Sequence, residues 1–270
     1  MVVPTLGTRA DWLRLSLSAL QNQAPPVNVV LVGPDNAIIR DMAIEFGATL
    51  LTEKGRTLSA AINQGVRENP KPTPFIGWIA DDDVIAPNSI ARSVRALEND
   101  PQAPFAFGRL RYIDALGRSM WLIRPGSWSV PYAHYGRNFI PQPGSIQRLS
   151  AWQAVGGLDE KLSNAMDLDL FLKLAKLGKP VYIPQEVAAF RVHDGSISVV
   201  KLGKSGASEA ADVSRQYRKT NRMDRLIDTA IAVSDRVLLS VHRRIPGPAA
   251  AQVAGNPYHV LRGQALDDSQ

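Results

Sequence analysis

The chain contains no cysteine, which excludes disulfide scaffolds and thiolate metal centres. It has four histidines, none paired at H-x-x-x-H spacing, so a zinc site of that kind is absent too. No apolar run reaches the roughly 18–20 residues that span a bilayer. The opening MVVPTLGTRADW lacks the charged, apolar and small-residue regions of a signal peptide. These absences predict a cytoplasmic protein, with a peripheral place on the inner face of a membrane left open. Three nucleotide and hydrolase signatures are also missing. No Gly-Lys-Ser/Thr follows the Gly55–Gly65 loop, no G-x-G-x-x-G follows the first strand, and no G-x-S-x-G elbow occurs.

What remains is an ordinary globular composition: 270 residues, 45% hydrophobic and 21% charged. The net charge of +6 is unevenly placed. Lys201–Ile245 carries ten Lys/Arg against five Asp/Glu, whereas the first 200 residues carry twenty against eighteen. A nucleic-acid groove across the main body is therefore not expected. The basic segment leaves an anionic membrane surface as a candidate partner. The sequence divides into a main domain at 1–200, a basic helical extension at 201–245 and a loose tail at 246–270.

The first 110 residues alternate short apolar runs with helical periodicity. Strands are predicted at Val2–Thr5, Val27–Val32, Ala48–Thr52 and Phe75–Ala80, and helices at Asp11–Asn22, Ile38–Phe46, Leu58–Glu68 and Asn88–Asn99. Such alternation means an α/β fold with a doubly wound, mostly parallel sheet, whose ligands sit at the carboxyl ends of the strands. Phe105–Ile113 and Ser119–Arg124 then read as an antiparallel pair around Asp114–Gly117. A loop-rich stretch follows, crowded with Trp121, Trp128, Tyr132, Tyr135 and Phe139. One helix is expected within Leu158–Lys176, then short strands at Val181–Ile183 and Val187–Phe190. A further helix is expected at Asp224–Arg244.

Four constellations can carry chemistry. Asp81-Asp82-Asp83 directly follows the apolar run ending at Ala80. In extended geometry Asp81 and Asp83 point to one side, a hard-cation site of the kind that holds Mg²⁺ or Mn²⁺ with a diphosphate. The plain alternative is a solvated acidic turn ahead of a helix. Asp167 and Asp169 fall in the first turn of a predicted helix, where one can face a cleft as a general base while the other helps cap. Arg191-Val192-His193-Asp194-Gly195-Ser196-Ile197-Ser198 mixes cation, imidazole and hydroxyls in a way that suits closure on a phosphate, or forms a plain polar loop. Gly55–Gly65 runs from a loop into a helix whose first amides can meet a nucleotide.

Taken in order, these pieces resemble a family 2 glycosyltransferase of the GT-A fold, over roughly residues 1–200. Val2-Val3-Pro4-Thr5 and Leu17–Gln23 resemble the opening strand and the S-L-x-x-Q end of the first helix. Ser59–Gly65 resembles the A-x-N-x-G helix. Ile79–Pro87 resembles the D-x-D motif with its trailing proline. Val155–Glu160 with Asp167–Leu170 is similar to G-G-F-D-E … E-D-x-D-L, and Arg191–Ser198 resembles an R-x-H-x-x-S-x-S ending. The chain departs from the pattern at Gly33-Pro34-Asp35-Asn36, where an acidic pair is usual. It departs again at Met166, where a Glu precedes the base, and in an opening loop one residue longer.

The resemblance implies an inverting transfer of a sugar, hexose or deoxyhexose, from a nucleotide-diphospho-sugar to a hydroxyl of a glycan or lipid-linked acceptor. It assigns Asp167 as the catalytic base and Asp81 and Asp83 to a divalent cation, Mg²⁺ or Mn²⁺. Donor-binding residues would be Pro4, Thr5, Arg9, Asp35, Arg56, Asn63, Asp82, Arg191 and His193. Gln142, Trp128 and Asp169 would line the acceptor side. Two other readings stay open: a GT-A-like nucleotidyltransferase, for which Leu6-Gly7-Thr8-Arg9 is a short loop, and a non-catalytic nucleotide-sugar-binding protein.

Overall fold

The computed structural model describes residues 1–135, 138–193 and 204–217, the last with side chains from 208. Strand β1 (Val2–Pro4), helix α1 (Ala10–Gln21), β2 (Val30–Gly33), α2 (Ala37–Glu45), β3 (Thr49–Thr52) and α3 (Leu58–Arg67) alternate as the periodicity predicts. β1, β2 and β3 form a parallel sheet. All four residues of β2 are buried, as a β-branched strand covered on both faces should be. Helix α1 turns Leu13, Leu17 and Leu20 inward. Gly33 lets the first two strands close at their carboxyl ends, because a Cβ there would lie 2.1 Å from the Thr5 carbonyl oxygen.

A second sheet continues the first. The Val2 N–H donates to the Gly77 carbonyl (2.9 Å), and the Ile79 N–H donates to the Val2 carbonyl (3.0 Å). That parallel bridge at Val2 and Trp78 leads into β4 (Phe75–Ile76). After β5 (Val84–Ile85) and α4 (Ser89–Asn99) come β6 (Phe105–Ile113), β7 (Ser119–Ile123), the short helix α5 (Ser129–Ala133), β8 (Ile146–Arg148) and α6 (Leu149–Ala154). Helix α7 (Met166–Ala175) and strand β9 (Val181–Arg191) follow. The strand order is β4-β8-β6-β9-β5, with β7 on β6. β6 and β9 run parallel, and β8 is antiparallel to both β4 and β6. Phe105, Phe107 and Phe171 pack between β6 and α7, with the Phe105 and Phe171 rings stacked at 5.1 Å. Each such fully buried side chain contributes about 1.5–3 kcal/mol.

Two expectations change. The strand expected through Ala80 stops at Ile76, and Asp81 and Asp82 lie in a turn closed by the Asp83 N–H donating to the Ala80 carbonyl (3.2 Å). Asp81 and Asp83 are therefore not set out by strand alternation. Second, β9 is one strand rather than two. Its register against β6 jumps from Gly108–Ile183 to Arg109–Glu186, which absorbs Pro184 and Gln185 without ending the pairing. Within the expected helical extension at 201–245, a helix α8 runs over Lys204–Tyr217. Its Val213 and Ser214 are buried, and the Ser214 hydroxyl donates to the Ala210 carbonyl (2.7 Å). The expected helix at Asp224–Arg244, the 246–270 tail and residues 194–200 lie outside the described residues. Among the described residues no helix is long and apolar enough to cross a membrane.

Candidate active site

The carboxyl ends of β1 and of the Trp78 segment bring Thr5, Arg9 and the three aspartates together. The Thr5 hydroxyl donates to Asp81 Oδ2 at 2.6 Å. Arg9, the residue that precedes α1, donates from Nη1 to Asp82 Oδ2 at 2.6 Å and lies 3.7 Å from Asp81. One guanidinium thus spans two consecutive aspartates, which extended geometry would have placed on opposite sides. His193 Nε2 is 2.8 Å from the same Asp82 oxygen and 2.9 Å from Arg9 Nη1, so arginine, imidazole and carboxylate meet at one point. Arg9, Arg191 and His193 all pack on Trp12, with ring or guanidinium distances of 5.8, 5.2 and 4.7 Å. The antiparallel register of β5 and β9 carries Arg191 to Asp83. The Arg191 N–H donates to Asp83 Oδ1 (2.9 Å), and its Nε donates to the Asp82 carbonyl (2.9 Å).

Asp83 is 1% exposed. Burial, then the Asp82 charge, push its carboxyl well above the ordinary range. Burial also raises Asp81, against the Thr5 hydroxyl and Arg9, which favour its charge. Two hard oxygen donors held at such cost fit a divalent cation, which would relieve the repulsion. Among the described residues no three His, Cys, Asp or Glu side chains converge on one point. The protein would thus supply two ligands and leave the others to phosphate oxygens and water.

Asp167 opens the first turn of α7 and is half-buried. Burial pushes its pKa up to about 6, against the Leu168 N–H and the Asn138 amide, which favour the charge. Leu168 N–H donates to Oδ1 at 2.8 Å, and Asn138 Nδ2 donates to Oδ2 at 2.9 Å. Four positions along the same segment, Gln142 Nε2 donates to the Trp78 carbonyl at 2.9 Å, three residues before Asp81. Four residues span at most about 14 Å. A single stretch therefore ties Asp167 to the root of the acid turn.

Other expected site residues sit differently. Pro4 ends β1 opposite Val32. Asp35 is exposed and ion-paired with Arg40 of α2. Arg56 is exposed and makes no ion pair among the described residues; Thr57 beside it caps α3 by accepting the Ala60 N–H (3.1 Å). Asn63 is not open to a donor. Its amide takes the Leu158 N–H (3.0 Å) and donates to the Leu158 carbonyl (2.9 Å), which clamps the Gly156-Gly157 turn. Gly157 has φ +70°, and a Cβ there would lie 2.7 Å from Asn63 Oδ1. Asp169 faces inward rather than toward an acceptor. It is 4% exposed, pairs with Lys173 (2.7 Å) and accepts the Tyr217 hydroxyl of α8. Trp128 is exposed beside Tyr132 and Phe139.

Sequence reasoning missed two residues. Asn138 has no motif around it. Glu209 of α8 accepts the backbone N–H groups of Ser163 (3.0 Å), Asn164 (2.5 Å) and Ala165 (2.8 Å), just ahead of α7. Burial opposes its charge, but those three donors together hold its carboxyl below the ordinary range. The head of the helix that carries Asp167 is thus capped from 46 residues away.

The solved structures similar to this one are GT-A glycosyltransferases, and that is the fold class here. The 1–349 fragment of TarS from S. aureus, solved with UDP-GlcNAc, has a TM-score of 0.59 at 12% identity, covering 83% of this chain and 68% of that one. The mannosyltransferase PcManGT from Pyrobaculum calidifontis, solved with GDP-Man and Mn²⁺, has a TM-score of 0.53 at 13% identity, covering 100% and 87%. In sequence, hyaluronan synthase of Pasteurella multocida is 26% identical over 139 residues, 48% of this chain and 13% of that protein. The chain thus spans only a small part of that relative's length. The profile of Glycosyl transferase family 2 matches residues 1–151, and the chain belongs to that family.

Proposed function

We propose that this glycosyltransferase moves a sugar from a nucleotide-diphospho-sugar to an acceptor hydroxyl by a single inverting displacement. The observation that carries the reading is the tie through 138–142. It sets a carboxylate with a pKa of about 6 within one short segment of a buried acid turn ringed by cations. Asp167 takes the proton from the acceptor hydroxyl. The acceptor oxygen forms a bond to the anomeric carbon while the bond from that carbon to the diphosphate breaks. The nucleoside diphosphate leaves with the electron pair.

Arg9, Arg191 and His193 supply cationic and donor groups beside the diphosphate, and Thr5 holds Asp81 in place. A divalent cation, Mg²⁺ or Mn²⁺, on Asp81 and Asp83 would neutralise the leaving diphosphate when bound. Gln142 and Trp128 belong to the acceptor side. A glycan or a lipid-linked glycan fits as acceptor. With the latter, a cytoplasmic enzyme resting its basic 201–245 segment on an anionic membrane face follows naturally.

The test is a thermal-shift screen of UDP- and GDP-sugars on the full chain, with Mn²⁺, Mg²⁺ or EDTA, followed by turnover of each ligand that binds. Stabilisation that needs the metal, with release of nucleoside diphosphate, supports the reading. Binding without turnover across an acceptor panel would instead make the chain a nucleotide-sugar-binding module.

A further inference from the structure

Trp128, Tyr132 and Phe139 are 47%, 41% and 37% exposed, although they touch one another edge to face at 5.3–6.0 Å between ring centroids. Nothing in the core requires them on the surface. The same stretch buries Ser129, Ala133 and Ile140 completely or nearly so, and those residues fix its inner face. The outer face is a set of rings over a buried inner face.

That face adjoins the base. Phe139 follows Asn138, whose Nδ2 donates to Asp167 Oδ2 (2.9 Å). The Ile140 N–H donates to Asn138 Oδ1 (3.2 Å), which fixes the amide with its nitrogen toward the carboxylate. The rings are thus joined to the carboxylate through the residue next to Phe139.

We propose that Trp128, Tyr132 and Phe139 form a platform for a pyranose ring of the acceptor, next to the hydroxyl that Asp167 deprotonates; this rests on the glycosyltransferase reading above. The chemistry selects the occupant. An aromatic face attracts the apolar C–H face of a sugar, while hydroxyls on the ring's rim meet Asn138 and Asp167. A pyranose offers both on one rigid body, and a rigid platform holds the reacting hydroxyl in place at small entropic cost. A bare acyl chain would meet the rings but would offer no hydroxyl to the polar pair of Asn138 and Asp167.

Saturation-transfer NMR on the full chain, with cellotetraose, maltotetraose, chitotetraose and mannotetraose as probes, tests this. At least one tetrasaccharide is expected to bind, with ring C–H protons most strongly saturated. Trp128→Ala is expected to weaken that binding about tenfold, and Trp128→Phe to restore most of it. Trp121→Ala, a change at another exposed tryptophan stacked on Tyr112 of β6, serves as control and should leave binding unchanged. Circular dichroism melts confirm that each variant folds. No binding by any probe, or equal binding by folded Trp128→Ala and Phe139→Ala, overturns the platform. The two readings fail separately. A chain that binds tetrasaccharide through Trp128 but turns over no sugar nucleotide keeps the platform and loses the transferase reading, and donor turnover without ring binding does the reverse.

Discussion

The acid turn and the head of α7 treat their carboxylates in opposite ways. Asp81, Asp82 and Asp83 each have a partner brought from a distant segment: Thr5 and Arg9 before α1, and Arg191 and His193 at the end of β9. Among the described residues Asp167 has one side-chain partner, Asn138, and a surface left partly open. The first arrangement sets carboxylates and cations in place before any ligand arrives, with burial raising Asp81 and Asp83 in a way that a bound cation would relieve. The second keeps one carboxylate poised near neutrality, as proton transfer requires. The division of labour is between groups tied in place for a charged ligand and one group left open to exchange a proton.

Asp83→Ala breaks the first half. It is expected to abolish metal-stimulated binding of UDP- and GDP-sugars, and transfer with it, while the melting temperature without donor and metal does not fall. Calorimetry with and without Mn²⁺ checks this; metal-stimulated turnover at the wild-type level would remove Asp83 from the site.

Asp167→Asn breaks the second half. Transfer should drop about 10²–10⁴-fold while donor affinity is kept. Its folded pKa of about 6 lies above the ordinary 3.8, so the native state holds this proton more tightly than the unfolded chain does. The ionised group therefore costs stability increasingly as pH rises from about 4 to 6. The variant should melt no lower than wild type at pH 8. Donor affinity that collapses with transfer would erase the contrast between the two regions.

A smaller effect is expected from Glu209→Ala, which uncaps the head of α7. The loss should be about 1–2 kcal/mol at neutral pH, the usual worth of an N-terminal cap. The wild-type carboxyl is held below its ordinary 4.5, so its contribution is complete above that pH and is lost as pH falls through the lowered value. Urea unfolding at pH 7 and pH 4 should show the gap narrow on acidification. A gap that does not depend on pH would mean the charge is not what caps the helix.

Most of the N-terminal half was legible, because its strands and helices carry strong periodicity and its site residues lie at strand ends. Asp81–Asp83 stand out in the sequence for the same reason, whereas Asp167, one of two acids in a helix's first turn, was singled out by the family resemblance. The facing of the triad was not legible, since a turn at Asp81–Asp82 replaces the expected strand. Asn63 looked like a ligand because a polar residue on a helix gives no sign that its amide is spent on the Leu158 backbone 95 residues later. Asp169 misled in the same way, its partner being Tyr217. Short α5, α6 and β8 are too brief to show a period. Glu209 was hidden because a side chain capping a distant helix leaves no spacing to read.

The most direct test of Asp167 as the base is the pH dependence of single-turnover transfer, from pH 5 to pH 8, in wild type and Asp167→Asn. The expected wild-type rate rises up to tenfold per pH unit below an apparent pKa near 6 and is level above it, and the variant loses that break. A wild-type profile flat across the range, or a break that survives in Asp167→Asn, would contradict the assignment.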